Sequence, residues 1–219
     1  VGSALAGAWL SAFATAVEAD RDRLTVLDSA IGDGDHGVNL HRGMSRVRLL
    51  LLEDETPYTV GGLLTEAGVL LRTHVGGASG VLYGSALQEM GAALPVHRAE
   101  DDRLAHALEA GLAAVVRLGA AVPGDKTMVD AFGPAVRAFR ERLTDGGDLA
   151  EAAAAAATAA EAGARSTIPL HARKGRASYL GYRSIGHLDP GAASTALLFR
   201  SLAEATVDCR KVACCPSAS

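Results

Sequence analysis

Apolar residues recur along this chain at the spacing of helix turns and almost nowhere at the spacing of a strand. Leu5, Trp9, Phe13 and Val17 fall four apart; Leu40, Met44, Val47 and Leu51 repeat the pattern, as do Leu63, Ala67, Leu70 and His74. Such a stripe lays one helix face against a core. Stretches of the same kind cover about 79–94, 101–118, 128–143, 149–165 and 191–205, which makes eight predicted helices. No window alternates apolar with polar residues, and aromatics are only 4% of the chain, so no sheet is expected.

The breaks between helices carry stop and start signals: Pro57, Pro95, Pro123 with Gly124, Gly146 with Gly147 before the N-cap candidate Asp148, and Pro169. The alanine run 152–157 suits a helix that packs closely on its neighbours. No repeat or linker divides the chain. The expectation is one all-α domain over residues 1–208, a bundle or closed barrel of antiparallel up-and-down helices, with 209–219 as a disordered tail.

This topology makes a geometric claim. In an up-and-down array the first, third, fifth and seventh connections share one end, and those four hold the unusual residues: "DSAIGDGDHGVN", "VGGASGVLYG" (75–84), "LGAAVPGDKTM" (118–128) and "IPLHARKGRASYLGYRSIGHLDPGA" (168–192). The even connections are ordinary charged turns. Function is therefore expected at one end.

In the first of these, Asp33 and Asp35 flank Gly34, and Asp28 precedes them by one helical turn and a half. Three carboxylates gathered at one bend repel each other unless a cation sits among them. Hard oxygen donors suit Mg²⁺ or Mn²⁺, which keep positions open for phosphates. An EF-hand is excluded, because counting from Asp33 its fifth and twelfth positions are Gly37 and Met44. "GGASG" (76–80) is open to two readings, a plain glycine turn joining two helices, or an anion site where the free N–H groups of a helix start favour a phosphate and Ser79 adds a hydroxyl. It lacks the GxxxxGK[ST] spacing of a P-loop, and "GDKTM" matches that motif only superficially. The seventh connection, more than twenty residues long, brings Arg173, Lys174, Arg176 and Arg183 to the same end, with Asp189, Pro190 and Gly191 opening the last helix. Acidic ligands beside helix N-termini and guanidinium groups describe a metal–polyphosphate site. His36 and His187 are each open to two readings, a general base or phosphate carrier, or a hydrogen-bonded loop histidine.

Charge narrows the partners. The net charge is −4 with basic residues scattered, so neither nucleic acid nor a membrane surface is expected as a partner. No apolar run approaches the roughly 18–20 residues of a membrane span, and the first twenty residues lack a basic n-region, so a cytoplasmic setting is expected. Cys209, Cys214 and Cys215 crowd the last eleven residues without CxxC spacing, which fits neither a disulfide framework nor a zinc site.

The segments "GDGDHGVN", "GGASGVLYG", "GDKTM" and "ARKGRASYLGYRSIGHLDPGA" resemble, in order, the nucleotide-binding L subunit of dihydroxyacetone kinase and the matching C-terminal domain of single-chain dihydroxyacetone kinases. The resemblance runs from about residue 5 to 205 and implies a closed barrel of eight antiparallel helices with the nucleotide at one end. It implies that Asp28, Asp33 and Asp35 are the catalytic metal ligands, holding two Mg²⁺ ions against the phosphates of ADP or ATP. Nucleotide contacts are implied for His36, Gly37, Val38, Asn39, Ala78, Ser79, Gly119, Met128, Arg176, Asp189, Pro190 and Gly191. Tyr182 stands where the family often has Glu and His171 where Gln is frequent, neither at a metal position. His36 sets the chain apart from the related domain of bacterial fatty acid kinases, which usually shows "DGDTGTN".

The implied activity is phosphoryl transfer to dihydroxyacetone held by a partner K subunit, with ADP as a bound coenzyme recharged by a phosphorylated M subunit of the phosphotransferase system. Two alternatives remain at this stage: the L domain of an ATP-dependent single-chain kinase, and a nucleotide-dependent module that binds a protein such as a transcriptional regulator.

Overall fold

The computed structural model describes residues 2–53, 59–94 and 101–213 of the chain. Among these, every regular element is helical: α1 (Ser3–Ala19), α2 (Arg21–Ile31), α3 (His36–Glu53), α4 (Val60–His74), α5 (Gly77–Ala93), α6 (Asp101–Gly119), α7 (Val129–Thr144), α8 (Leu149–Ser166) and α9 (Pro190–Ala213), with a 3-10 segment at Arg176–Ser184. α1 packs on α3, α3 on α4, and so on in chain order to α9, which packs back on α1 and closes the ring.

The count differs from the expected eight because the first rod is two helices. Asp20 (φ −96°, ψ 6°) breaks it, yet the Asp20 N–H still reaches Ala16 O at 3.0 Å and Leu24 N–H reaches Asp20 O at 2.8 Å. The hydrogen-bond ladder thus nearly survives the break, and the apolar phase carries across it with Val17 and Leu24 both fully buried. Periodicity alone could not mark the boundary. α2 goes on to pack against α3, α9 and the 3-10 segment, which brings Asp28 and Ile31 to the end of the ring.

Inside, Trp9 Nε1 donates to Leu198 O at 2.8 Å across the α1–α9 seam, and the Phe132 and Phe199 rings meet edge-on at 5.1 Å. The alanine run buries Ala152, Ala153 and Ala156 completely. On the same helix a Cβ at Gly163 would stand 2.2 Å from Asp130 O, so α7 and α8 approach backbone to backbone. Asp148 caps α8 as expected, accepting from Ala150 and Glu151 N–H at 3.0 Å each, and Glu151 returns the bond in a capping box.

The breaks at Pro57 and Pro95 lie outside the described residues, as do Cys214 and Cys215. α9 continues through 209–213, so the first part of the stretch expected as a tail is helical, and 214–219 lie outside the described residues. No helix among the described residues is long and apolar enough to cross a membrane.

Candidate functional site

All four odd connections meet at one end of the ring and line a single cavity of about 260 Å³. Its lining includes an apolar set, Ile31, Leu82, Val115, Ala121, Met128 and Val129. It also includes a charged set, Asp28, Asp33, Asp35, Lys126, Lys174, Arg176 and Asp189, together with the first residues of α5 and α9. A ligand that carries both a planar ring and a polyanion would satisfy the two sets.

The acidic bend is built around Asp28. From the last turn of α2 its Oδ2 accepts the N–H groups of Asp35 (2.8 Å) and His36 (3.1 Å), so this buried carboxylate caps the start of α3. Gly34 turns the chain between the other two aspartates at φ +76°, where an added Cβ would fall 2.5 Å from Ser29 Oγ. Asp28, Asp33 and Asp35 thereby offer carboxylate oxygens that all lie within 4.8 Å of one another. Such a set of hard oxygens at a cavity mouth fits Mg²⁺. Arg176, at the start of the 3-10 segment, donates from Nε to Asp33 Oδ2 at 3.1 Å and joins the acidic bend to the seventh connection.

His36 is held rather than free. Its Nδ1 lies 2.9 Å from Ser79 Oγ on α5 and its Nε2 2.9 Å from Ser194 Oγ on α9. Burial pushes its pKa down against the pull of Asp28 and Asp35, which favours the neutral ring. Ser194 Oγ in turn lies 2.7 Å from the Tyr83 hydroxyl, whose pKa burial pushes up to about 12. The chain Ser79–His36–Ser194–Tyr83 fastens the N-terminal turns of three helices to one another. Both ring nitrogens of His36 are thus engaged by serine hydroxyls, as the hydrogen-bonded of the two readings requires.

The α5 terminus is set for an anion. Gly76 is its N-cap, no side chain caps it, and Gly77, Ala78 and Ser79 face the cavity. At the α9 terminus Asp189 Oδ2 accepts from Ala192 N–H at 2.8 Å. Burial pushes the Asp189 carboxyl up to about 7, against the Ala192 bond and the nearby Lys126 charge, which pull it down.

Of the sequence-predicted residues, Asp28, Asp33, Asp35, His36, Ala78, Ser79, Gly119, Met128, Arg176, Asp189, Pro190 and Gly191 line the cavity. Gly37, Val38 and Asn39 do not. Gly37 faces α2, where an added Cβ would fall 2.0 Å from Arg21 O; Val38 is exposed; Asn39 accepts from Arg42 at 2.8 Å and abuts Gly76. They form the backing of the site because α3 turns those side chains away from its opening. His187 contributes its backbone carbonyl, which accepts from Lys126.

Sequence reasoning missed the groups that shape the fifth connection. Asp130 accepts from Gly124 N–H at 2.5 Å and Thr127 N–H at 2.8 Å, Asp125 accepts from Val122 N–H at 2.9 Å, and Lys126 is buried with a left-handed backbone at φ 62°. The only signal was the Gly124-Asp125-Lys126-Thr127 string itself, which is quiet about which side chain turns inward.

The chain is similar to known proteins over most of its length. Residues 30–204 match the DAK2 domain. The chain is 42% identical over 200 residues to the "PEP-dependent dihydroxyacetone kinase 1, ADP-binding subunit DhaL" of Listeria innocua, covering 91% of this chain and 94% of that protein. It is 40% identical over 198 residues to the corresponding ADP-binding subunit of Escherichia coli, covering 89% and 93%. Among solved structures, the C. freundii dihydroxyacetone kinase in complex with AMP-PNP and Mg²⁺ superposes with a TM-score of 0.69 at 29% identity, over 92% of this chain and 34% of that one.

Proposed function

The chain belongs to the DAK2-domain family, and from that premise we propose that it is the ADP-binding, phosphoryl-transferring subunit of a dihydroxyacetone kinase of the phosphoenolpyruvate-dependent type. The observation that carries this reading is the clustering of three carboxylates within 4.8 Å at a cavity that also receives the α5 and α9 N-termini and Arg176. Dihydroxyacetone is presented by a partner K subunit, and the nucleotide is recharged in place by a phosphorylated M subunit.

Asp28, Asp33 and Asp35 would hold Mg²⁺, and their three charges suit two ions. When bound, Mg²⁺ neutralises phosphate oxygens and so favours transfer. The rest falls to the chain's own groups. Ile31, Leu82, Val115 and Met128 seat the base; Ala78, Ser79, Pro190 and Gly191 present helix ends to the phosphates; Lys174 and Arg176 add cationic charge at the rim. No side chain here needs to act as a base, because positioning and charge carry phosphoryl transfer.

The test is reconstitution. Purified chain, K subunit and dihydroxyacetone should yield dihydroxyacetone phosphate when phosphorylated M subunit is added, and ADP should survive extensive dialysis of the chain. Transfer only with exchangeable ATP would reassign the donor. Transfer with neither donor overturns the reading.

The rim supports a docking role for the K subunit. Tyr179 and Tyr182 on the 3-10 segment are 88% and 81% exposed; Leu118 in the last turn of α6, Val122 in the fifth connection and Ile185 in the seventh are exposed as well. Large aromatics left in water beside a cavity mouth are suited to anchor a partner. Tyr182 is stacked on His171 at 5.0 Å, whereas Tyr179 carries no such duty, so Tyr179→Ser is the cleaner probe. It should weaken K-subunit affinity by about tenfold, or about 1.4 kcal/mol, with Mg·ADP binding unchanged by calorimetry.

A further inference from the structure

The seventh connection carries Lys174, Arg176 and Asp189 to the cavity over more than twenty residues, and its two ends are fastened at one place. Lys126 Nζ donates both to Thr167 O, at the end of α8, and to His187 O, just before α9. Beside it the Gly186 N–H donates to Ile168 O at 2.8 Å and the Asp189 N–H to Thr167 Oγ1 at 3.0 Å. On the loop's outward path Arg173 N–H donates to Asp125 O at 3.1 Å. The result is a closed neck in which the buried Lys126 ammonium bridges the two ends.

The lysine is held there against two costs. It is 1% exposed, and burial lowers its pKa while Asp189 and Asp130 pull it back up. Its backbone sits at φ 62°, a region that disfavours a side chain, between Asp125 and Asp130, whose carboxylates hold the surrounding turn by Val122, Gly124 and Thr127 N–H groups. Strain of this kind persists only where the surroundings over-determine it. A turn that merely joined α6 to α7 would need neither the charge nor the inward side chain.

We propose that Lys126 is a positioning residue: by tying Thr167 O to His187 O it closes the neck of the seventh connection, and so fixes Arg176 and the α9 N-terminus opposite the aspartate cluster in the geometry that binds nucleotide. The proposal rests on the nucleotide-binding reading above. Lys126 acts through the loop, with no contact to the phosphates required of it.

The experiment measures Mg·ADP binding by calorimetry, with hydrogen exchange across 168–189, on wild type, Lys126→Met, Arg176→Ala and the double variant. Lys126→Met is expected to speed exchange in the loop and raise the Kd of the folded protein about tenfold. In the double variant the loss should be clearly smaller than the sum of the two single losses, because a guanidinium that is no longer there cannot be misplaced, whereas the α9 N-terminus still can. A purely structural lysine would lower the melting temperature while leaving Kd unchanged, and that result overturns the proposal, as would strict additivity. Should Lys126→Met fail to fold, the near-isosteric Thr167→Val, which removes the Asp189 N–H acceptor from the same neck, is expected to show a smaller, equally non-additive loss; unchanged affinity there also overturns it. Wild type that binds no Mg·ADP refutes the nucleotide reading instead, so the two failures are distinguishable.

Discussion

Replacing Asp33 with asparagine should reduce phosphoryl transfer about a thousandfold, equivalent to about 4 kcal/mol in the barrier, while the melting temperature stays within about a degree of wild type. The two effects separate because of what Asp33 does and does not touch. Its side chain is 36% exposed at the cavity mouth, and its recorded contact is the Arg176 guanidinium at 3.1 Å. Among the described residues no backbone N–H donates to it, so the fold loses only a half-exposed ion pair, worth under about 1 kcal/mol. Asparagine keeps the size and one oxygen but removes a charge from the cluster proposed to hold a divalent cation. Raising Mg²⁺ should recover part of the rate, because the lost quantity is metal affinity. Turnover within tenfold of wild type at ordinary Mg²⁺ would remove the aspartates from the chemistry.

What the sequence disclosed and what it hid divide along a physical line. Helical stripes such as Leu5–Trp9–Phe13–Val17 are local, and the ring follows from them once each helix must bury its face on the next. The up-and-down rule then placed four connections at one end without knowledge of any contact. Asp28, Asp33 and Asp35 were legible because like charges at one bend are anomalous wherever they occur. The direction of Gly37, Val38 and Asn39 was hidden, because it depends on how α3 lies against α2 and α5. Lys126 was hidden for the same reason: its acceptors are 41 and 61 positions away. The partners of His36 are 43 and 158 positions away, so no spacing rule could choose between a base and a fastening. The break at Asp20 stayed invisible because apolar phase and hydrogen bonding both run almost unbroken through it.

Asp28 should behave differently from Asp33, although sequence treats the two alike. Asp28→Ala is expected to abolish transfer as fully and, in addition, to lower the melting temperature by about 4–8 °C, from a loss of about 2 kcal/mol. The source is its second duty: Oδ2 accepts the Asp35 and His36 N–H groups at 2.8 and 3.1 Å, the leading donors of α3, in a position only 8% exposed. With alanine those donors lose their acceptor and the N-terminal end of the helix dipole loses its counter-charge. The consequence reaches the site, since His36 begins α3 and links it to Ser79 and Ser194. Asp28→Asn divides the duties, because an amide oxygen can still accept both N–H groups while the charge is gone. It should recover most of the melting temperature and none of the transfer, measured by thermal unfolding and by the reconstituted assay on the same samples. A variant that melts like wild type as alanine would show that α3 needs no cap from α2; one that transfers phosphate as asparagine would show that the cluster binds its cation with two carboxylates.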